Sequence, residues 1–487
     1  MPALPGIRSS RNARIEGHSL RFAASALVLM AALSLVAFAQ PTVVVTPKSG
    51  PPTDRAAVRG TGFAADEAVD IYFDTTDLAL AATGRGGSFS GIRLTIPASA
   101  TPGTHWITGV GRTSGLVAQT SFIVRTDWPQ FLSGPQHHGY NSTENILSPS
   151  TVAGLQLLWS TPVSASGSSP VLANGIVYVT SEAHYLSAVE ANTGRLLWTV
   201  PTGNSSNTFY PTPAVANDLV YSGSNDGLYA FDALTGQLIW KALPGSAVEA
   251  VTVTNGIVYV DSGDLDAFDA ATGTLLWSGA ANATFSPPAV ANGVVYEGSV
   301  DGSVRAFNAV TGALIWESEH TQGSIFGGAT VANGIVYVQS YQFFYAFNAA
   351  NGQNVWSAPI TLDISSTPTI ADGVVYEGPF AFAAATGQPV WTAAFGEAIS
   401  SAAVANGVVY LGQQNYNLYA YNAATGQTLW SAATGGPVAS SPIVANGRVY
   451  VVGGDGYLYA FGLPPAQPPV QPDPAALKPD LTLVIRR

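Results

Sequence analysis

The sequence has no cysteine among its 487 residues. Disulfide bonds, thiolate metal ligands, cysteine nucleophiles and lipid attachment through a cysteine are therefore excluded. Charged residues are also scarce, at 10%, and no dense run of lysine and arginine occurs. Because a nucleic-acid-binding surface needs such cations and the net charge is −12, nucleic acids and anionic membrane surfaces are disfavoured as partners.

The sequence also lacks the Gly-x-Ser-x-Gly, His-Glu-x-x-His, Walker and Gly-x-Gly-x-x-Gly motifs. Nucleophilic, zinc and nucleotide chemistry thus have no support from motifs. What the sequence does have is 51 glycines, 32 prolines and 47% hydrophobic residues. This composition is typical of a turn-rich all-β protein, and the length predicts at least two domains.

The first 39 residues predict an export signal. An arginine-rich start precedes the apolar run 22–39, which ends in Ala37-Phe38-Ala39. This order of charge, apolar run and small-residue site is typical of a cleaved signal peptide. The alternative is an uncleaved membrane anchor, since the apolar run is close to the shortest that spans a bilayer. Either way, we expect an exported protein that is secreted, periplasmic or on the cell surface.

Residues 41–125 predict a small β-sandwich. About seven short runs rich in Val, Ile, Phe and Thr alternate with turns such as "SGPP", "TGRGG" and "ATPGT". The pattern "VRGTGFAADEAVDIYF" resembles immunoglobulin-like domains of the IPT/TIG kind found in bacterial surface proteins. At the other end, residues 463–487 are rich in proline and predict a flexible tail.

The remaining sequence, 127–462, is a repeat. A hairpin signal of the type "VANGIVYV" recurs eight times, with Asn-Gly or a similar pair between two apolar runs. A tryptophan recurs at intervals of 35 to 42 residues, at Trp159, Trp198, Trp240, Trp277, Trp316, Trp356, Trp391 and Trp430. Each interval has room for four short strands. Eight such units predict an all-β, eight-bladed β-propeller.

The two repeated signals are offset at the ends of the repeat. The first tryptophan strand, "LQLLW" (155–159), precedes the first hairpin, and the last hairpin has no tryptophan strand after it. We therefore expect the early strand to complete the eighth blade, which leaves no open edge in the ring. The tryptophans themselves are predicted to be structural, because each ring can pack against a neighbouring blade, where its loss typically costs about 3–5 kcal/mol.

Segments such as "LYAFDALTGQLIW" (228–240) and "VRAFNAVTGALIW" (304–316) resemble the PQQ-like propeller repeat, and the lead-in "DWPQFLSGPQHHGY" resembles the entry segment of that superfamily. The resemblance covers the whole of 127–462. The superfamily includes quinoprotein alcohol dehydrogenases, a propeller factor of outer-membrane protein assembly, and secreted members without known activity.

For the dehydrogenases the resemblance implies PQQ and Ca²⁺ in the central funnel, held by oxygen ligands, a carboxylate base and cationic groups. The segments predicted to line the funnel are small, hydroxylic or apolar, and only Glu249 and Asp363 among them are charged. The cysteine pair that covers the quinone in many members is missing as well. We therefore predict no catalytic residue, no metal and no cofactor, with PQQ and calcium as the alternative.

Two further groups of residues are candidate metal ligands. Asp261, Asp264, Asp266 and Asp269 are clustered closely enough in sequence for Ca²⁺, although a turn-stabilising role is favoured for Asp269. His137 and His138 are adjacent and have no third ligand nearby, so a solvated loop is predicted for them.

The function predicted from the sequence is that of an exported, non-catalytic binding or scaffold protein at the cell envelope. Its partner is expected to be a protein or a glycan, it is expected to be monomeric, and membrane contact is expected only through an uncleaved signal segment. The alternatives are a PQQ-dependent dehydrogenase and a propeller similar to outer-membrane protein assembly factors.

Overall fold

The computed structural model describes residues 40–165, 167–203, 211–242, 247–248, 251–280, 287–360, 366–393, 400–464 and 470–477. The predicted signal segment, Glu249, Asp363 and the end of the tail lie outside these residues. Within them, no helix is both long and apolar enough to cross a membrane.

Residues 41–125 form two sheets around one core. The eight strands are β1 (Thr42–Thr46), β2 (Ser49–Gly50), β3 (Arg55–Thr61), β4 (Ala68–Phe73), β5 (Thr76–Ala82), β6 (Phe89–Thr95), β7 (Gly103–Gly111) and β8 (Val117–Val124). One sheet has the order β1-β3-β6 and the other β2-β8-β7-β4-β5. Val45 and Val58 from the first sheet share the core with Ile71, Ile107 and Phe122 from the second.

After these two sheets come the 3₁₀ turns Phe131–Ser133 and Val152–Gly154 and the short strand β9 (Tyr140–Asn141). Four-stranded units come next along the chain. Sheet 1 contains Val171–Ala173, Ile176–Thr180, Tyr185–Glu190 and Leu196–Pro201; sheet 2 contains Ala214–Ala216, Leu219–Ser224, Gly227–Asp232 and Leu238–Ala242; sheet 3 contains Val251–Thr254, Ile257–Asp261, Leu265–Asp269 and Leu275–Gly279; sheet 4 contains Ala289–Ala291, Val294–Gly298, Val304–Asn308 and Leu314–Glu317.

The second half of the chain repeats this arrangement. Sheet 5 contains Thr330–Ala332, Ile335–Ser340, Phe343–Asn348 and Asn354–Pro359; sheet 6 contains Thr369–Ala371, Val374–Glu377, Phe380–Ala383 and Pro389–Thr392; sheet 7 contains Ala403–Ala405, Val408–Gly412, Asn417–Asn422 and Thr428–Ala433, with β9 added; sheet 8 contains Ile443–Ala445, Arg448–Val452 and Gly456–Gly462, with Gln156–Ala165 added. A last 3₁₀ turn, Pro474–Ala476, lies in the tail.

The hairpins between first and second strands take their shape from positive φ angles. At Asn292-Gly293 the two angles are 50° and 78°, which is the geometry of a two-residue type I′ turn. Asn217-Asp218 lacks the glycine but keeps the geometry, with φ of 51° and 62°. Asn and Asp tolerate this region better than other side chains, so the turn is preserved there.

The last sheet is closed by an early strand, as the offset of the repeated signals predicts. Residues 156–165 pair in antiparallel register with 456–462, and Trp159 lies opposite Ala460. The prediction that a strand near residue 157 completes the last unit is confirmed. The ring of sheets therefore joins its first and last elements.

Each of the eight tryptophans lies against the next sheet. Trp277 donates its indole N–H to the Ala309 carbonyl over 3.2 Å, and a Cβ on Gly312 would lie 2.6 Å from the indole ring. A side chain at the glycine of the Thr-Gly turn would therefore displace the ring. Trp430 differs in packing edge-on against Phe461, and the Trp198 indole N–H has no hydrogen-bond partner in the described part of the chain.

Candidate functional site

A closed ring of four-stranded sheets surrounds a central channel, and the first strands of neighbouring sheets contact one another here. Short polar links connect the residues just before several of these strands. The Gly328 N–H donates to the Thr367 hydroxyl, the Thr367 N–H to Ser401, the Ser401 N–H to Ser441, and the Ser441 N–H to Ser169, over 2.8 to 3.2 Å. The last of these bonds joins sheet 8 to sheet 1. The hydroxyl groups that were predicted to line the central funnel therefore link adjacent sheets.

Residues 127–141, here called the lead-in segment, follow the first strands of all eight sheets in order. The segment hydrogen-bonds, in turn, to Leu172, Val215, Val253, Val290, Val331, Ile370, Val404 and Val444. The bonds begin with a reciprocal pair between Trp128 and Leu172 and end with the Asn141 side chain donating to the Val444 carbonyl over 3.0 Å. A single segment of chain therefore occupies the inner edge of every sheet.

The curved path of the lead-in segment depends on unusual backbone angles. Leu132, Ser133 and His137 have φ of 46°, 71° and 60°. Gly139 also has positive φ, and a Cβ there would lie 2.6 Å from the Thr369 hydroxyl oxygen. Only glycine fits at that close approach.

His137 is fully buried in this structure, so the prediction of a solvated loop is wrong for this residue. Its Nδ1 lies 3.0 Å from the Ala329 carbonyl and its Nε2 lies 3.3 Å from the Thr252 hydroxyl. Burial, with a smaller contribution from His138, lowers the pKa of His137 to about 4, so its ring is neutral at pH 7. This burial could not be predicted from the sequence, because the lead-in segment has no periodic pattern of its own.

Two buried carboxylates were missed by the sequence reasoning. Glu297 and Glu377 occupy the same repeat position in sheets 4 and 6, where Val338 and Leu411 stand in sheets 5 and 7. Both are only 1% exposed. The signal that could have found them is the "VVYEG" sequence, in which Glu replaces the usual apolar residue.

These carboxylates differ in their surroundings. Burial raises the pKa of Glu377 to about 8, although the Ser366 hydroxyl donates to one of its oxygens. Burial also raises the pKa of Glu297 well above its ordinary value, and the nearby Asp261 adds to the effect. Among the residues that the structure describes, neither Glu297 oxygen has a hydrogen-bond partner. A pKa of about 8 keeps the buried Glu377 carboxyl protonated at pH 7.

The aspartate cluster does not form a metal site in the described part of the chain. Asp269 accepts hydrogen bonds from two backbone N–H groups and a hydroxyl of its own turn, which confirms the turn role. Asp266 accepts from the Ser262 hydroxyl over 2.7 Å, and Asp261 from the Gly263 N–H over 2.9 Å. Among the described residues, no group of three or more His, Asp or Glu could hold a metal ion.

The described channel residues do not fit a quinone that carries carboxylates. Between residues 127 and 477 the sequence has 22 Asp and Glu but only four cations, which are Arg195, Lys241, Arg305 and Arg448. All four are engaged: three contact acidic side chains and Arg448 donates to the Ala191 carbonyl. None of them belongs to a first strand or to the lead-in segment.

A family profile described as "Outer membrane protein assembly factor BamB" matches residues 151–252, 227–325, 300–377 and 380–462. These matches overlap and cover well over half of the sequence. The chain belongs to this family. Its sheets are those of a β-propeller built from PQQ-like repeats, in agreement with the resemblance noted in the sequence.

The curated relatives of this protein include both dehydrogenases and assembly factors. It is 31% identical over 128 residues to the dehydrogenase subunit of a quinone alcohol dehydrogenase from Gluconobacter oxydans, covering 24% of this chain and 17% of that protein. It is 36% identical over 108 residues to BamB from Moranella endobia, covering 20% and 28%. It is 27% identical over 241 residues to tetrathionate hydrolase from Acidithiobacillus ferrooxidans, covering 42% and 40%.

The chain thus spans less than half the length of these curated relatives. Among solved structures, quinohemoprotein alcohol dehydrogenase from Comamonas testosteroni matches with a TM-score of 0.62 at 17% identity, covering 71% of this chain and 82% of the other. BamB from Moraxella catarrhalis matches with a TM-score of 0.55 at 20% identity, covering 63% and 99%. Likeness at this level of identity establishes the fold alone.

Proposed function

We propose that this protein is an exported, eight-bladed PQQ-like propeller that acts as a non-catalytic binding scaffold at the cell envelope. In this proposal residues 1–39 are a signal peptide, 41–125 an immunoglobulin-like domain and 463–487 a spacer. The observation that carries it is the course of the lead-in segment, which hydrogen-bonds along the inner edge of all eight sheets.

The lead-in segment supports a scaffold role because it forms hydrogen bonds with the strands that line the channel. The backbone groups of the first strands that would meet a ligand already bond to residues 128–141. Channel hydroxyls such as Thr367 and Ser401 already bond to neighbouring sheets. A wall whose polar groups are satisfied internally serves to hold the ring together, and specificity is then left to the surface turns.

A quinone-binding experiment tests this proposal. Purified full-length protein is mixed with PQQ and Ca²⁺, and quinone absorbance and dye reduction are followed with simple alcohols and aldose sugars. We expect neither saturable binding nor turnover. Saturable binding with turnover would overturn the scaffold proposal. A pull-down from envelope extract then identifies the protein or glycan partner.

A quinoprotein-type oxidoreductase is the second candidate, and one observation favours it. Glu377 is a buried carboxyl with a pKa of about 8, and perturbed acids of this kind are concentrated at catalytic sites. If PQQ-dependent turnover is found, the Glu377→Gln variant should abolish it, while the exposed control Glu319→Gln should not. A role in outer-membrane protein assembly is the third candidate, and the family membership favours it.

A further inference from the structure

A polar groove of about 380 Å³ lies on the side of the propeller that carries the Asn-Gly turns. One wall is the lead-in segment, and the other is formed by the turns of sheets 4, 5 and 6. The polar side chains that line it are Gln136, His138, Tyr140, Asn292, Asn333 and Asp372. The same turns contribute backbone at Gly334 and Gly373.

Three turn asparagines outside the groove are hydrogen-bonded, whereas Asn217 and Asn255 are exposed and, like the two groove asparagines, form no side-chain hydrogen bond within the described part of the chain. Asn174 accepts a hydrogen bond from Arg125, Asn406 donates to the Leu147 carbonyl over 2.9 Å, and Asn446 accepts from the Thr126 N–H over 2.8 Å. Asn292 and Asn333 are exposed, and within the described part of the chain their side chains form no hydrogen bond. A free amide offers two donors and an acceptor to a ligand.

The lead-in segment gives the groove fixed polar groups. The Tyr140 hydroxyl donates to the Asp372 carboxylate, at 3.1 Å from each oxygen. The His138 Nε2 lies 2.8 Å from the Val331 carbonyl, so this nitrogen donates and fixes the orientation of the ring. The groove thus presents donors and acceptors on planar groups held by their neighbours.

A second cavity of about 340 Å³ adjoins the first and shares Asn333 and Gly373 with it. Its lining is more apolar and includes the exposed Val355 and the half-buried Trp356, whereas Tyr337 is only 2% exposed and packs against Trp356. Asn333 therefore stands between a polar groove and a more apolar one. This combination suits a ligand that carries both hydroxyl groups and C–H faces.

The groove is poorly suited to a peptide added as a strand. The carbonyls of Gln136 and His138 already accept hydrogen bonds from Val331 and Ile370, so the inner edge of sheets 5 and 6 is occupied. Strand addition needs a free edge. The lining also has no lysine or arginine, which disfavours phosphates and other anions.

We propose that this groove binds a neutral saccharide, with Asn292, Asn333 and Asp372 bonding its hydroxyl groups. The proposal gives a ligand class to the binding scaffold proposed above and rests on it only in that respect. A quinone-dependent enzyme could carry the same groove, so the saccharide and quinone experiments fail independently of each other.

The test uses the full chain and four neutral tetrasaccharides, namely maltotetraose, cellotetraose, mannotetraose and chitotetraose. Binding is followed by calorimetry up to about 5 mM, the range of weak single-site affinities. The variant is Asn292→Gly with Asn333→Gly, because glycine keeps the positive φ of the turn and removes only the amide. The matched control is Asn255→Gly in sheet 3, whose Asn-Gly turn lies outside the groove.

We expect at least one tetrasaccharide to bind, with affinity about tenfold weaker in the double variant and unchanged in the control. Three results would overturn the proposal: no binding of any of the four sugars, equal loss in the control, or displacement of the bound sugar by tetralysine. The last result would show that the groove recognises basic peptide through Asp372. Thermal unfolding of each variant separates loss of binding from loss of fold.

Discussion

The N-terminal sandwich and the propeller both bury carboxyl groups, but two of the acids buried in the propeller have far fewer partners. In the sandwich, Asp70 is almost fully buried and pairs with Arg112 at 2.6 Å, and Glu67 accepts hydrogen bonds from the backbone of Ala64, Thr113 and Ser114. In the propeller, Glu297 and Glu377 are as deeply buried, yet within the described residues neither Glu297 oxygen has a hydrogen-bond partner and Glu377 bonds only to Ser366.

The sandwich and the propeller also differ in net charge. Residues 41–125 have seven Lys and Arg against six Asp and Glu, whereas 127–477 have four against 22. In the propeller, burial keeps the Glu377 carboxyl protonated at pH 7. The comparison predicts that loss of one partner from the buried sandwich pair is costly, and that ionisation of Glu377 lowers the stability of the propeller.

The largest expected effect comes from the propeller side of this comparison. The folded pKa of Glu377 is about 8, above its ordinary value of 4.5, so the native state holds the extra proton between these pH values. Stability therefore falls as pH rises from about 4.5 to 8, and Glu377→Gln should remove this fall. We expect a gain of up to about 5 kcal/mol in the free energy of unfolding at pH 8.

Urea unfolding at pH 5 and pH 8 checks this prediction, with Glu319→Gln as the exposed control. A variant that shows the same pH dependence as the parent would mean that Glu377 ionises normally in the folded protein.

In the sandwich, Arg112→Met should lower the free energy of unfolding, whereas Glu377→Gln raises it in the propeller. The substitution keeps much of the side-chain volume but leaves the Asp70 carboxylate buried without its partner. We expect the free energy of unfolding to drop by about 3–5 kcal/mol, measured by urea unfolding at pH 7. The exposed Arg93→Met is the matched control. If both variants lose equally little, the buried pair contributes nothing and the contrast between the regions disappears.

The smallest expected effect concerns the eight repeated tryptophans, which belong to the propeller. Trp277→Phe keeps an aromatic ring but removes the indole N–H that donates to Ala309. Trp198→Phe removes an N–H that has no hydrogen-bond partner among the described residues. We expect Trp277→Phe to cost about 1 kcal/mol more than Trp198→Phe in thermal unfolding. Equal losses would show that the hydrogen bond to the next sheet adds nothing to the packing of the ring.

Much of the fold was accessible from local signals. Asn-Gly pairs demand positive φ, and the "VVYV" runs beside them demand burial on both faces, so hairpins and stacked sheets followed without reference to distant residues. The eight strands of the sandwich exceed the predicted seven only through the two-residue strand β2. Counting the offset of the two repeats was enough to predict the closing strand.

The candidate site was much less accessible. Lining residues of the groove come from a lead-in segment near position 138 and from turns near 292, 333 and 372, and only the ring brings them together. Likewise, the burial of His137 depends on Ala329 and Thr252, which are more than one hundred residues away. No pattern within a short window reports such contacts.

The sequence by itself thus determined the strands, the turns and the circular order of the sheets, because each depends on the φ preferences and hydrophobic pattern of a few adjacent residues. Only the tertiary structure decided where the lead-in segment runs, which acids lose contact with water and which turn amides stay free. Those outcomes depend on which surfaces meet after the ring has closed, and burial and hydrogen bonding between remote residues are properties of that assembled arrangement.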